Sequence, residues 1–184
     1  MKRLLTLLLS AAVLLACASA AADSPAAREF DDFTLKAQAP LEYAGPKAEG
    51  QPLFVFYHTV TGEISTSAVN AVWLSSAEPI SAAEFTSMLQ SAEPAMRAQQ
   101  ESKGNTLKRY KVMETLEKEL WAKPALVCDT EMLVGLSNAD IYIIQRSIRI
   151  TGSFGTYIFS ISAFSVKSLE ETTDELVKSV QWKR

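Results

Sequence analysis

Residues 139–182 read ADIYIIQRSIRITGSFGTYIFSISAFSVKSLEETTDELVKSVQW, and this stretch decides the fold. β-branched and aromatic residues, which favour a pleated sheet, dominate on both sides of the segment Thr151 to Gly155. The two glycines of that segment can adopt the positive φ angles that hairpin loops often demand. The pattern therefore predicts two antiparallel strands joined by a hairpin.

The first strand of this hairpin carries polar residues on both of its faces. Gln145 and Ser147 share one face with Arg149, whereas Arg146 interrupts the opposite, isoleucine-rich face. Side chains alternate between the two faces of a strand, so neither face is wholly apolar. We therefore expect part of this strand to be exposed to water.

After the second strand, the spacing of apolar residues changes from two to about 3.6 residues, which is typical of a helix. The residues that recur on one helical face are Leu169, Leu176, Val177 and Val180. Ser168, followed three residues later by Glu171, fits a capping box at the start of this helix. The whole stretch is thus predicted to end with a helix and a short strand that reaches Trp182.

The beginning of the chain has the pattern of a secretory signal peptide. Positive charges at Lys2 and Arg3 precede an apolar run over residues 4–15, and small residues follow. This run is too short for an ordinary membrane-spanning helix, which needs about 20 apolar residues. Residues 1–20 are the expected signal peptide, and we expect export to the bacterial periplasm or cell envelope.

Two processing routes remain open for this signal. The sequence that ends at Cys17, Leu-Leu-Ala-Cys, resembles a bacterial lipobox, and lipid attachment at Cys17 would make 1–16 the removed segment. The sequence Ala18-Ser19-Ala20 instead fits ordinary signal peptidase. We favour the lipid because Cys17 closes the apolar run, and acyl chains would then be the protein's link to the membrane.

The charge balance argues against nucleic acid as a partner. The full chain has 18 basic and 21 acidic residues, and loss of Lys2 and Arg3 leaves 16 basic residues. Nucleic-acid affinity rests largely on lysines and arginines that neutralise phosphates. The small basic cluster from Lys108 to Lys111 is interpreted as the solvated side of a strand, with an anion or lipid-headgroup contact as the alternative.

The remaining domain organisation follows from composition and periodicity. Residues 21–50 are rich in Ala and Pro and predict a flexible tether with an edge strand between Phe30 and Ala37. Residues 51–184 predict a single globular domain. Its first strands are expected at Leu53 to Tyr57, Glu63 to Thr66 and Ala68 to Leu74.

Two central segments need a choice between structures. Ser81 and Glu84 form a capping-box pattern before an apolar helical face, which Pro94 must kink or replace by a second helix. The segment Leu107 to Trp121 alternates like a strand, although its composition suits a helix. We favour a long strand, because a turn after Trp121 would pair it with the next strand in a hairpin.

The sequence indicates no catalytic residue, cofactor site or metal site. His58 is the single histidine, and no G-x-S-x-G elbow or H-E-x-x-H pair accompanies it. A surface or capping role is therefore favoured for His58 over that of a general base. Cys128 has Cys17 as the only other cysteine, and it is interpreted as a buried, inert thiol rather than a reactive or metal-binding one.

The order of elements, ending in SIRITGSFGTYIFSISAFS and then SLEETTDELVKSVQW, resembles the PsbP-like α/β sandwich. In length, lipobox and ending, the chain is also similar to small bacterial DcrB-type envelope lipoproteins of that fold. The resemblance implies an α+β fold, in which an antiparallel β-sheet is flanked by helices and ends in a hairpin, a helix and a short strand. It implies a binding or assembly module without catalytic residues.

These observations favour a non-enzymatic envelope protein that binds a protein partner or a small ligand. One alternative is a periplasmic hydrolase that uses His58 with a serine or a carboxylate. A further alternative is a carrier that holds an apolar ligand between sheet and helix. The missing catalytic constellation places the binding protein first.

Overall fold

The chain is described from a computed structural model. The structure describes residues 26–37, 41–44, 46–58 and 67–183. Its strands are β1 Ala26–Glu29, β2 Phe33–Ala37, β3 Leu41–Ala44, β4 Pro52–His58, β5 Ser67–Leu74, β6 Thr106–Val112, β7 Leu116–Leu120, β8 Lys123–Gly135, β9 Asp140–Gly152, β10 Gly155–Ala163 and β11 Val180–Trp182. Its helices are α1 Ala82–Gln90, α2 Glu93–Ser102 and α3 Val166–Ser179.

The main sheet is antiparallel and has eight strands. Its order is β3-β4-β5-β10-β9-β8-β6, with β7 also paired to β8. A second sheet has the order β1-β2-β11. The predicted fold class, an antiparallel sheet flanked by helices, is confirmed.

The two faces of the main sheet have different covers. One face, here called the α3 face, packs Phe159 and Ile148 against α3 and the small sheet, through Leu169, Leu176 and Phe33. The opposite face, here called the α1–α2 face, packs at one end against the other two helices. Phe85 and Leu89 of α1 pack with Cys128 of β8. Met96 of α2 packs with Met132 of β8 and Ile143 of β9.

The predicted hairpin is confirmed at β9 and β10. Ser153 and Phe154 form the turn, and Gly155 has a φ of 98°. A Cβ atom at Gly155 would lie 2.4 Å from the carbonyl oxygen of Leu74, which leaves no room for a side chain. This glycine is therefore needed both for the positive φ and for the close approach of β5.

β9 is exposed only at its first residues, Asp140 and Tyr142, and the polar residues on which the expectation of exposure rested are buried. All residues from Ile143 to Ile150 are buried, including the polar ones. The reason is that β9 lies inside the sheet, between β8 and β10, and both faces of the sheet are covered there. The polar residues of β9 are thus interior groups, and their partners decide what they do.

The segment 21–50, predicted to be a tether with an edge strand, contains three paired strands. β2 lies between β1 and β11 and is therefore the middle strand of the small sheet. β3 pairs with β4 at the edge of the main sheet. Phe33 and Leu35 of β2 are completely buried against the α3 face, which explains why this part of the chain belongs to the fold.

The ends of the helices were predicted with mixed success. Ser81 and Glu84 form the predicted capping box: the Ser81 hydroxyl accepts from the Glu84 N–H at 3.2 Å, and Glu84 accepts from the Ser81 N–H at 2.8 Å. The capping box predicted for α3 is wrong. Ser165 is the N-cap, and its hydroxyl accepts a hydrogen bond from the N–H of Ser168 at 3.1 Å.

The strand predicted for Leu107 to Trp121 is confirmed, but it is divided into β6 and β7. The division arises because residues 113–115 interrupt the ladder, and both halves pair with the same long strand, β8. Trp121 and Ala122 form the following turn, each with a φ of 54°.

Pro94 lies in the first turn of α2, so it begins a second helix. The strand expected at Glu63 to Thr66 lies outside the described residues.

Candidate functional site

Two buried arginines lie three residues apart on β9 and occupy opposite faces of the main sheet. Arg146 is on the α3 face and is 8% exposed, and Arg149 is on the α1–α2 face and is 6% exposed. Burial of a charged group is strongly unfavourable unless the charge is paired and hydrogen-bonded. The partners of the two arginines therefore distinguish a structural role from a functional one.

Arg146 is fully satisfied within the protein. Its Nε and Nη2 donate to the two carboxylate oxygens of Asp129, each at 2.8 Å. Its Nη1 and Nη2 donate to Glu170 at 3.0 and 2.8 Å, and Nη1 also donates to the Thr173 hydroxyl at 3.3 Å. All five N–H donors of a guanidinium are thereby used. The hydrogen bonds that Arg146 donates to Asp129 raise the pKa of Arg146, so its positive charge joins β8, β9 and α3.

Arg149 has a single partner among the described residues. Its Nη2 donates to the carbonyl oxygen of Glu78 at 3.0 Å, and no carboxylate of the described chain forms an ion pair with it. Four of its five N–H donors are left without an acceptor there. Burial lowers the pKa of Arg149, as expected for a cation removed from water without a neighbouring anion.

Arg149 lines a cavity of about 650 Å³, here called the β7 cavity. One wall is the segment between β5 and α1, and the opposite wall is β7 with the start of β8. The apolar lining consists of Ala77, Pro79, Ile80, Pro124, Ala125 and Leu126. Glu117, Lys118 and Glu119 of β7 also line the cavity. In the strand register Glu117 and Glu119 share the face of Arg149, whereas the side chain of Lys118 lies on the α3 face near Glu170. The site thus combines mainly apolar walls with one largely buried cation whose unpaired nitrogens are accessible from the cavity.

Hydrogen bonds to the sheet fix the first wall of the β7 cavity. The hydroxyl of Thr156 donates to the carbonyl oxygen of Ser76 at 2.7 Å and lies 3.0 Å from the hydroxyl of Thr151. Because Thr156 uses its single proton for Ser76, Thr151 is the donor of the second bond. Together with the bond from Arg149 to Glu78, these contacts hold the segment before α1 in place.

The second wall is fixed by a tryptophan at the tip of the hairpin between β7 and β8. The indole N–H of Trp121 donates to the carbonyl oxygen of Val177 in α3 at 2.8 Å. Its ring packs against Phe159 and Trp182, with ring centroids 5.3 and 6.3 Å away. Both walls of the cavity are therefore attached to the main body of the domain, as expected for a preformed site.

A row of polar side chains continues along β9 from Arg149 into the interior. Ser147 and Gln145 share its face, and both are buried. The hydroxyl of Ser147 and the amide oxygen of Gln145 have no hydrogen-bond partner among the described residues, and the same holds for one oxygen each of Asn70 and Ser162 on nearby strands. Buried polar atoms are usually paired with protein groups or with ordered water, so these atoms mark polar positions in the interior of the α1–α2 face.

None of the residues singled out by sequence is among the residues that line this cavity. His58 ends β4, opposite Ser67 of β5, and its side chain lies outside the described residues, as does all of Cys17. In the basic cluster, Lys108 pairs with Asp140 at 2.7 Å and Arg109 pairs with Glu131 at 3.0 Å. The interpretation of that cluster as a solvated strand face therefore agrees with its contacts.

Sequence reasoning did not single out Arg149 as a site residue. It placed Arg149 on a mixed face of β9 and treated its charge as a sign of exposure. The available signal was an arginine among isoleucines in a strand flanked by two other apolar strands. That pattern shows a buried cation only once the strand order is known.

Cys128 is buried on the α1–α2 face, and its thiol donates to the carbonyl oxygen of Met113 at 3.3 Å. Burial raises the pKa of this thiol, so its reactive thiolate forms at a higher pH than in an exposed cysteine.

We expect iodoacetamide to alkylate Cys128 roughly a hundredfold more slowly in the native chain than in the urea-unfolded chain. Peptide mapping by mass spectrometry measures this, and equal rates would show that Cys128 is accessible.

Two general features of the described residues bear on function. No group of three or more His, Cys, Asp or Glu side chains among them is arranged to hold a metal ion. None of the helices within these ranges has both the length and the apolar character needed to cross a membrane.

The fold defines an α+β protein with a cavity at one end of an antiparallel sheet. No family model matches the chain, and no curated protein matches it. Among solved structures, a Pseudomonas aeruginosa protein of unknown function, PA94, is similar with 11% sequence identity and a TM-score of 0.46. That likeness covers 79% of this chain and 98% of the other.

Proposed function

We propose that the protein is an exported, non-enzymatic binding protein of the bacterial cell envelope, and that its ligand is a small molecule held in the β7 cavity. The expected signal peptide and the lipobox at Cys17 support the compartment. The resemblance of the C-terminal segment to PsbP-like modules supports binding rather than catalysis. The proposal involves no metal ion and no cofactor.

The observation that carries the proposal is the β7 cavity itself. Small-molecule sites commonly have volumes of about 300 to 1,000 Å³, mainly apolar walls and a few polar groups that orient the ligand. The cavity has a volume of about 650 Å³, six apolar lining residues and the buried guanidinium of Arg149. The apolar-ligand carrier considered from sequence placed its ligand between sheet and helix, whereas no helix residue lines this cavity.

Filling the cavity is expected to weaken binding strongly. Ala77 lies on the exposed part of the first wall, so Ala77→Trp adds a large ring at the cavity without disturbing the core. We expect the affinity for Nile red, an uncharged apolar dye, to fall by about tenfold or more, because the ring occupies the volume of the dye. Fluorescence titration of the full chain measures this.

Ala98→Trp is the matched control, because Ala98 is an exposed alanine of α2 that does not line the cavity. This variant should bind Nile red like the unchanged protein. Weak binding that is equal in all three proteins would contradict the proposal. So would an equal loss in both variants, since the effect would then come from the added tryptophan alone.

A further inference from the structure

We infer that the β7 cavity binds a monoanionic carboxylate with an apolar body, and that Arg149 contacts the carboxylate group. This inference rests on the proposed function, in which the cavity holds a small ligand, and it names the chemical class of that ligand. The arrangement favours an anion at the unpaired guanidinium nitrogens of Arg149, which are accessible from the cavity, and an apolar body along the walls.

The need for an anion follows from the contrast between the two buried arginines of β9. Arg146 contacts two carboxylates, whereas Arg149, which is equally buried, has one backbone carbonyl as its partner. The unpaired nitrogens of Arg149 are open to the cavity rather than sealed in the core, so an anion there would form charge-assisted hydrogen bonds at a largely apolar site. An anionic ligand supplies the counter-ion that the described chain does not give to Arg149.

The free donors of Arg149 fit a carboxylate. A guanidinium presents its N–H groups as a planar fork, which matches the two oxygens of a carboxylate in a bidentate contact. Since Nη2 already uses one N–H for Glu78, the other N–H groups remain for the ligand. Arg149 lines the cavity, and its bond to Glu78 fixes the orientation of the guanidinium there.

The other groups of the cavity restrict the ligand further. Glu117 and Glu119 lie on the β7 wall and repel negative charge, which disfavours a dianion such as a phosphate monoester more than a carboxylate. Ile80, Leu126 and two prolines offer apolar surface next to Arg149, and burial of an apolar body there is favourable. An aliphatic carboxylate satisfies all of these conditions.

The test compares probes that share one apolar body and differ in the head group. Decanoate, decanol, decyl phosphate and decylammonium are used to displace Nile red from the full chain at neutral pH and moderate ionic strength. We expect decanoate to bind about tenfold more tightly than decanol, because a hydrogen bond to a charged group is worth more than one to a neutral group. Decyl phosphate and decylammonium should both bind more weakly than decanoate.

Variants at Arg149 then test which residue gives the preference. Arg149→Gln should reduce decanoate binding by about tenfold and leave decanol binding unchanged, because only the charged contact is removed. Arg149→Lys should retain part of the preference for decanoate over decanol, because the lysine ammonium still supplies a positive charge. Lys111→Gln is the matched control, since Lys111 is an exposed cation of β6 that does not line the cavity and should have little effect. Circular dichroism and thermal unfolding check that each variant is folded.

The results separate this inference from the proposed function. If Nile red binding depends on Ala77 but decanoate and decanol displace the dye equally, the cavity binds small molecules and the inference is wrong. The inference is also wrong if Arg149→Gln keeps the full preference for decanoate, or if decyl phosphate is the tightest probe. If the dye does not bind in the cavity at all, the proposed function itself fails.

Discussion

Replacing Phe33 by alanine is expected to lower the free energy of unfolding by about 4 kcal/mol. Phe33 is completely buried, and its ring lies 5.4 Å from those of both Tyr157 and Trp182 and 6.0 Å from that of Phe159. It therefore joins the small sheet to the α3 face. The loss combines reduced apolar burial with the cavity that remains after truncation. Urea unfolding followed by tryptophan fluorescence measures it.

The control for Phe33→Ala is an apolar residue outside the core. Val166 at the start of α3 is 61% exposed, and Val166→Ala should change the free energy of unfolding by less than about 0.5 kcal/mol. A similarly small effect at Phe33 would show that the small sheet does not stabilise the domain. It would also restore the interpretation of residues 21–50 as a tether.

Arg146→Gln is expected to destabilise the protein by about 2 to 3 kcal/mol. Removal of one partner from a buried ion pair costs about 3 to 5 kcal/mol, because the other charge stays buried without compensation. Here the two carboxylates can recover part of their hydration, since the side chains of Asp129 and Glu170 are 31% and 55% exposed. The estimate is therefore below that range, and urea unfolding at neutral pH measures it.

The effect of Arg146→Gln should depend on pH. The hydrogen bonds from Arg146 hold the pKa of Glu170 below its usual value of 4.5. A lowered carboxyl pKa stabilises the native state above the unfolded-state pKa, and this contribution is lost as the pH falls through the folded-state pKa. The stability difference between the unchanged chain and Arg146→Gln should thus shrink as the pH is lowered below about 4.5. A constant difference would contradict the role of Glu170.

The matched comparison for Arg146→Gln is Arg149→Gln, because both residues are buried on the same strand. Arg149 has no carboxylate partner among the described residues, so its removal leaves no anion unpaired there. We expect Arg149→Gln to change stability by less than about 1 kcal/mol and to be neutral or stabilising. A loss as large as that of Arg146→Gln would give Arg149 a purely structural role.

Local sequence signals predicted the elements whose stabilising contacts are close in the chain. The β9–β10 hairpin depends on Gly155 and on two adjacent apolar strands, and the start of α1 depends on Ser81 and Glu84. The start of α3 was misplaced because Ser165 and Ser168 both fit an N-cap position. Ser168 donates its own backbone N–H to Ser165, which makes Ser165 the cap.

The sequence by itself determined the α+β class, the hairpin, the helical stripe of α3 and the expectation of export. Only the tertiary structure decided what the polar residues of β9 do. The partners of Arg146 come from β8 and α3, and the cavity at Arg149 is formed by the segments before α1 and around β7. An arginine in a strand pattern suggests exposure, whereas strand order and helix placement determine its burial and the carboxylates within its reach. Long-range packing therefore makes one arginine of this strand a structural group and leaves the other as a candidate ligand contact.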